Sequence, residues 1–220
     1  MIKVDFHVHT NFSIDGMIKT VDLARKSKEL ELIPAISDHN TLEGVEEFRK
    51  TGQKFIAGEE IRTANGDLTG LFLTENIPKH LSFEETIDKI KEQGGLAYLP
   101  HMYDKGRHGC GDKFAELVDI IEVFNARCLD ARLNEMASET AKKLGKPGAA
   151  GSDSHFLSEF GKTYTEMPEF DIGDPGGLLK ALGKAKIVGK KIPFYMRGPP
   201  YAVMHWRKLK KKLGLGKDIK

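Results

Sequence analysis

Five stretches of this 220-residue chain carry side chains suited to holding divalent metal ions: Asp5, His7 and His9; Asp38 and His39; Glu59 and Glu60; His101; Asp153 and His155. Neutral imidazole and carboxylate oxygen together suit zinc, manganese or iron. No cysteine falls among them, which argues against a structural thiolate zinc site. So many donors imply more than one ion, and a carboxylate such as Glu60 could bridge two. Five of the eight histidines lie in these stretches; His80, His108 and His205 lie outside. His108, in the glycine-rich segment 104–111 beside His101, is the bystander best placed to reach a substrate.

Such distant residues can meet only if the fold gathers them. Each stretch falls at the end of an apolar run that reads as a strand, and strands alternate with helical patterns, as in an α/β protein with a mostly parallel sheet. Strands are expected at 2–6, 33–36, 54–57, 68–73, 96–99, 118–124 and 147–150. Helices are expected at 20–32, 41–50, 82–93, 129–143 and 176–185. Thr20 is expected to cap the first helix, and Ser82 with Glu85 forms a capping box for the third. Seven or so repeats suit a β/α barrel, whose strand ends converge on one face. Strand alternation places His7 and His9 on one side, with Val8 turned into packing.

Composition narrows the class further. Segment 207–220 holds seven basic residues and one acidic residue. The remainder has 27 basic against 31 acidic residues, a net of −4. A body of that sign is a poor general nucleic-acid grip. Two cysteines without CxxC spacing, and no signal-like or bilayer-length apolar run, suggest a cytoplasmic protein in a reducing compartment. We expect one barrel domain over 1–200 and a basic tail over 201–220. In the tail, Val203, Trp206, Leu209 and Leu213 form one helical stripe. It could dock Trp206 on the barrel and solvate its lysines, or contact nucleic acid or an anionic membrane surface.

The motifs Asp5-Phe-His7-Val-His9-Thr10, Asp15-Gly16, Ser37-Asp38-His39-Asn40-Thr41, Gly58-Glu59-Glu60, Pro100-His101 and Gly151-Ser152-Asp153-Ser154-His155 occur in order. Together they resemble the PHP superfamily, named for polymerase and histidinol phosphatase, over residues 2 to about 165. The resemblance implies a distorted seven-stranded TIM-like barrel with two or three ions. By that likeness His7 and His9 hold the first ion with Asp153 and Glu60. Glu60 bridges to a second, which His101 also binds. Asp15, His39 and His155 hold the third, while Asp5 and Asp38 orient imidazoles. The chain departs from the pattern at 66–71, where many members place another histidine. Glu122 either compensates there or pairs with Arg127 or a lysine.

The implied activity is hydrolysis of small-molecule or nucleotide phosphate esters by hydroxide generated on the ions. Arg107 and Arg127 are candidates for gripping phosphate oxygens bidentately. His155 or an aspartate would protonate the leaving group. Alternatives are an oligonucleotide exonuclease, a non-enzymatic module binding nucleic acid through the basic tail, and hydrolysis of another bond such as an amide.

Overall fold

The computed structural model describes residues 1–196 and 198–213. The chain begins β1 (Ile2–Val8), α1 (Thr20–Leu30), β2 (Leu32–His39), α2 (Glu43–Arg49), β3 (Ile56–Arg62), β4 (Asp67–Leu71), α3 (Phe83–Glu92) and β5 (Leu96–Leu99). It continues with β6 (Ile120–Asn125), α4 (Ala131–Leu144), β7 (Gly148–Gly151), β8 (Tyr164–Met167), α5 (Pro175–Leu182), β9 (Lys186–Val188) and α6 (Pro199–Lys212). The strands form one sheet in the order β7-β6-β5-β4-β3-β2-β1-β8-β9. The sheet curls until the chain beyond β7 meets β1. The Ser154 carbonyl accepts from His9 N at 3.0 Å, and the His7 carbonyl accepts from Asp153 N at 2.8 Å.

Two expectations are corrected. The sheet has nine strands among the described residues, not seven, and half of its eight ladders are antiparallel. β8 and β9 escaped the sequence because they are four and three residues long and offer little apolar periodicity. β3 and β4 are joined by a tight turn in which the Gly66 carbonyl accepts from Thr63 N at 3.0 Å and Thr63 Oγ1 at 2.6 Å. So short a connection can join only antiparallel strands. The Asn65-Gly66 pair was its signal, with Gly66 at φ +144°. As a result β4 brings its first residue, not its last, to the face where β3 ends.

Two apolar clusters support this frame. One joins helix residues such as Leu23, Val45, Phe48, Phe83 and Ile90 to strand residues including Ile36 and Leu99. The other joins Val4, Phe6, Leu71, Tyr98 and Ile120 to Leu178 and Leu182 of α5. The capping box of α3 is present, Ser82 Oγ accepting from Glu85 N and Glu85 from Ser82 N. Thr20 is not a cap: Lys19 holds that position and its side chain caps nothing. Trp206 of α6 does not dock on the barrel but is 59% exposed, with Lys210 Nζ 5.3 Å from its ring centroid. No helix among the described residues is long and apolar enough to cross a membrane.

Candidate metal centre

β1 is the axis of the site. It carries Asp5 and His7, and His9 follows one residue beyond its end. His7 and His9 turn their Nε2 atoms to within 3.0 Å of each other. β2 ends on His39 and β3 carries Glu60, paired in register with it. His101 lies two residues past β5, and Asp153 and His155 follow β7. The strands run further than the apolar runs suggested, so His7, His39 and Glu60 are strand residues rather than loop residues.

Glu60 lies at the centre. Its Oε2 is 3.3 Å from His7 Nε2, 3.4 Å from His9 Nε2 and 3.2 Å from His39 Nδ1. Its Oε1 is 2.9 Å from His101 Nε2. Asp153 Oδ1 lies 3.5 Å from His9 Nε2 and 3.9 Å from His7 Nε2. Asp15 Oδ2 lies 3.3 Å from His39 Nε2 and 3.2 Å from His155 Nε2. These side chains form overlapping groups whose donor atoms lie within 4.8 Å of one another: His9, Asp15, His39 and His155; His7, His9 and Glu60; His7, His101 and Asp153; Glu60, Asp67 and His101. Ring nitrogens and carboxylate oxygens crowded so tightly, nearly all buried, are a donor set that fits divalent cations.

Asp67 is the residue the sequence reading missed. It opens β4, so the β3–β4 hairpin carries it to Glu60 and His101, where the absent histidine left a gap. The rule that site residues follow strand C-terminal ends could not find it, because β4 runs the other way.

Glu122 lies behind the donor groups rather than among them, and it does not pair with Arg127. Its Oε1 is 3.1 Å from His7 Nδ1 and accepts from the Tyr98 hydroxyl at 2.9 Å. Its Oε2 accepts from His101 N at 2.7 Å and Asn125 Nδ2 at 2.9 Å. It thus orients His7, the role expected of Asp5 and Asp38. Those two instead brace backbone. Asp5 accepts from Ser152 N at 2.8 Å and His7 N at 3.3 Å. Asp38 accepts from Thr10 N and Thr10 Oγ1, each at 2.5 Å. Gly151 must be glycine here, since a Cβ would collide with Glu122 Oε1 and the His7 side chain.

The two arginines are also engaged. Arg107 donates to Asp153 Oδ2 and, at 3.0 Å, to Asn125 Oδ1. Arg127 is buried; it donates to the Asp153 carbonyl at 2.7 Å and to both Glu159 oxygens at 2.8 and 3.0 Å. Glu159 in turn accepts from His155 N at 2.7 Å. Arg127 therefore holds the 153–159 segment rather than facing the donor groups. His155 has both ring nitrogens committed, Nδ1 to the Asp153 carbonyl at 2.9 Å and Nε2 to Asp15. The His108 side chain is exposed; only its carbonyl joins the site's frame, accepting from Asp67 N at 3.1 Å.

Charge in the cluster is strongly coupled. Burial opposes ionisation of His7, but Asp153, Glu60 and Glu122 overcome it and hold the ring well above its usual range. Burial, with His155 and His39 beside it, pushes His9 down to about 3. Asp153 is well below the carboxylate range: burial raises it, but Arg107 and His7 outweigh that. The carboxylates draw a proton onto His7, while burial and the neighbouring imidazoles keep one off His9. Two donor residues also sit at positive φ, Asp153 at 52° and His101 at 27°. Such backbone persists only where its surroundings enforce it, and it concentrates at functional sites.

Comparison with known proteins agrees with this geometry. The PHP domain family matches residues 5–105, and the PHP-associated family matches residues 131–187. An uncharacterized protein of Methanocaldococcus jannaschii is 39% identical over 186 residues, spanning 80% of this chain and 75% of that protein. Another from the same organism is 41% identical over 153 residues, spanning 62% of this chain and 89% of that protein. Among solved structures, PsfC from Pseudomonas syringae superposes with a TM-score of 0.65 at 15% identity, covering 94% of this chain and 98% of that one. A candidate metal-dependent phosphoesterase from Bifidobacterium adolescentis gives 0.56 at 16% identity, covering 88% and 98%. At such identities these structures speak for the fold alone. Family matches, relatives and donor geometry lead to one conclusion: the chain belongs to the PHP family, named for polymerase and histidinol phosphatase.

Proposed function

We propose that this protein hydrolyses phosphate esters, of small molecules or nucleotides, with two or three divalent ions of zinc, manganese or iron. The broader class, a metal-dependent hydrolase, rests on the PHP family and on a donor set with no gap. The observation that carries the reading is Glu60, with one oxygen on His101 and the other shared by His7, His9 and His39. A carboxylate so placed joins neighbouring donor groups, as sites for closely spaced ions require. His7, His9, Glu60 and Asp153 would hold one ion; Glu60, His101 and Asp67 a second; Asp15, His39 and His155 a third. Bound there, the ions would draw a nucleophile from water near neutral pH and neutralise charge on phosphate oxygens.

The chain's own part is positioning. Glu122 fixes the His7 ring so that Nε2 faces the cluster. Arg107 braces Asp153, and Arg127 with Glu159 braces the 153–159 segment. Because His155 is committed at both nitrogens, it serves better as a donor than as the acid for the leaving group.

The test is metal content of the purified full chain, with a screen of phosphomonoesters and phosphodiesters under added manganese or zinc. The expected result is two or three ions per chain and turnover that chelation abolishes and metal restores. Fewer than one ion, with no turnover under any metal, would overturn the proposal.

A further inference from the structure

The cations expected to grip substrate, Arg107 and Arg127, are paired with carboxylates of the chain itself. That leaves the open side of the site to another residue. Of the donors, His39 and Asp15 keep the most side-chain exposure, 22% and 14%, so solvent reaches the cluster on their side. On that side lies α6. Its Arg207 donates Nη1–H to the Ser13 carbonyl at 2.6 Å, and Nη2 lies 3.6 Å from Met17 Sδ. Ser13 and Met17 flank Asp15, and Ser13 Oγ donates to Asp15 Oδ1 at 2.8 Å.

From this placement we infer that Arg207 is a phosphate-binding residue, delivered to the mouth of the site by the C-terminal helix. The inference rests on the phosphoesterase proposal and names the group that receives the ester's anionic side facing solvent. A guanidinium has five N–H donors, and the contacts to Ser13 and Met17 leave three for a ligand. Among the described residues no carboxylate pairs with Arg207, unlike Arg107 and Arg127. Its contact with the Ser13 carbonyl holds the guanidinium near Asp15, which attracts it through space without forming a direct ion pair. Planar, bidentate recognition of phosphate is the task to which arginine is best suited. Exposed Lys208, Lys210 and Lys212 on the same helix add positive potential that draws anions toward the mouth.

The experiment is calorimetric titration of the manganese-loaded full chain with inorganic phosphate. Arg207→Gln should weaken phosphate binding about tenfold or more, the scale of a lost charge-assisted contact. Arg207→Lys should recover part of it, and Lys180→Gln, the same loss of charge at an exposed position on α5, should change it little. Manganese content and Tm should be unchanged in Arg207→Gln. Phosphate should slow amide exchange across α6 in the wild type and not in Arg207→Gln. Unaltered phosphate affinity in Arg207→Gln would overturn the inference, as would a wild type that binds no phosphate. Loss of manganese in Arg207→Gln would also overturn it, by making Arg207 a prop for Asp15. A wild type that binds phosphate through Arg207 yet cleaves no ester would refute the proposed reaction instead.

Discussion

His7 and His39 both present a ring nitrogen to the same oxygen of Glu60, yet they are held by different means. The far nitrogen of His7 rests on Glu122, and Glu122 is itself held by Tyr98, Asn125 and the His101 amide. Those supports belong to strands or to the residues just past them, so sheet formation alone sets them. His39 has Asp15 at its far nitrogen, and Asp15 stands on the connection between β1 and α1. That connection is steadied by Ser13 and by Arg207, nearly two hundred residues away. The support of His7 is thus set by the sheet, while the partner of His39 depends on a loop and a terminal helix. Side chains supported by strands are held more precisely than side chains supported by loops.

Substitutions can break this contrast or sharpen it. The largest effect is expected for Asp153→Ala, which removes a carboxylate shared by His7 and His9 and strands Arg107. Turnover of phosphate esters should fall to background with the fold retained by circular dichroism, and residual turnover near wild type would remove Asp153 from the site. Next is Arg127→Ala, which leaves Glu159 buried without its cation. Breaking such a pair costs about 3–5 kcal/mol. Thermal unfolding should show a large loss of Tm, and a shift of only a degree or two would mean the pair does not brace the 153–159 segment.

Glu122→Gln compared with Asp15→Asn tests the contrast directly. Removing the charge behind His7 should lower metal affinity about 10–100-fold, the usual effect of losing an orienting partner. Asp15→Asn should release one ion from the outer group and leave the inner ones bound. Chelator competition with elemental analysis reads both, and equal loss of every ion in the two variants would show that inner and outer donors are one unit. The smallest effect is expected for Ser82→Ala, far from the ions. It should cost about 1 kcal/mol of stability, as lost helix caps do, with metal content unchanged; altered metal content would show that α3 communicates with the site.

Much of the inner site was legible because its residue types are rare in combination and recur at strand ends. His7, His9, Glu60, His101 and Asp153 needed only alternation and a converging barrel face to be grouped. Glu122 was visible but misassigned, because a carboxylate that orients a histidine and one that binds an ion look alike until its hydrogen-bond partners are known. Arg127 was misread for a similar reason: its partner Glu159 lies 32 positions away and no local pattern joins them. Asp67 escaped because strand direction is a property of pairing, not of the residues in the strand.

The amino-acid sequence by itself determined the donor chemistry, the alternation of strands and helices, and the PHP family. Side-chain type and short-range spacing carry those. Only the tertiary structure decided that β4 runs backward and delivers Asp67. Only it showed that Glu122 stands behind His7 and that the arginines after His101 and Glu122 are spent on the chain's own carboxylates. It also brought Arg207 to the Ser13 carbonyl, 194 positions away in sequence. Each of these depends on contacts between residues distant in sequence, where hydrogen-bond satisfaction of buried charge, not local periodicity, sets the outcome.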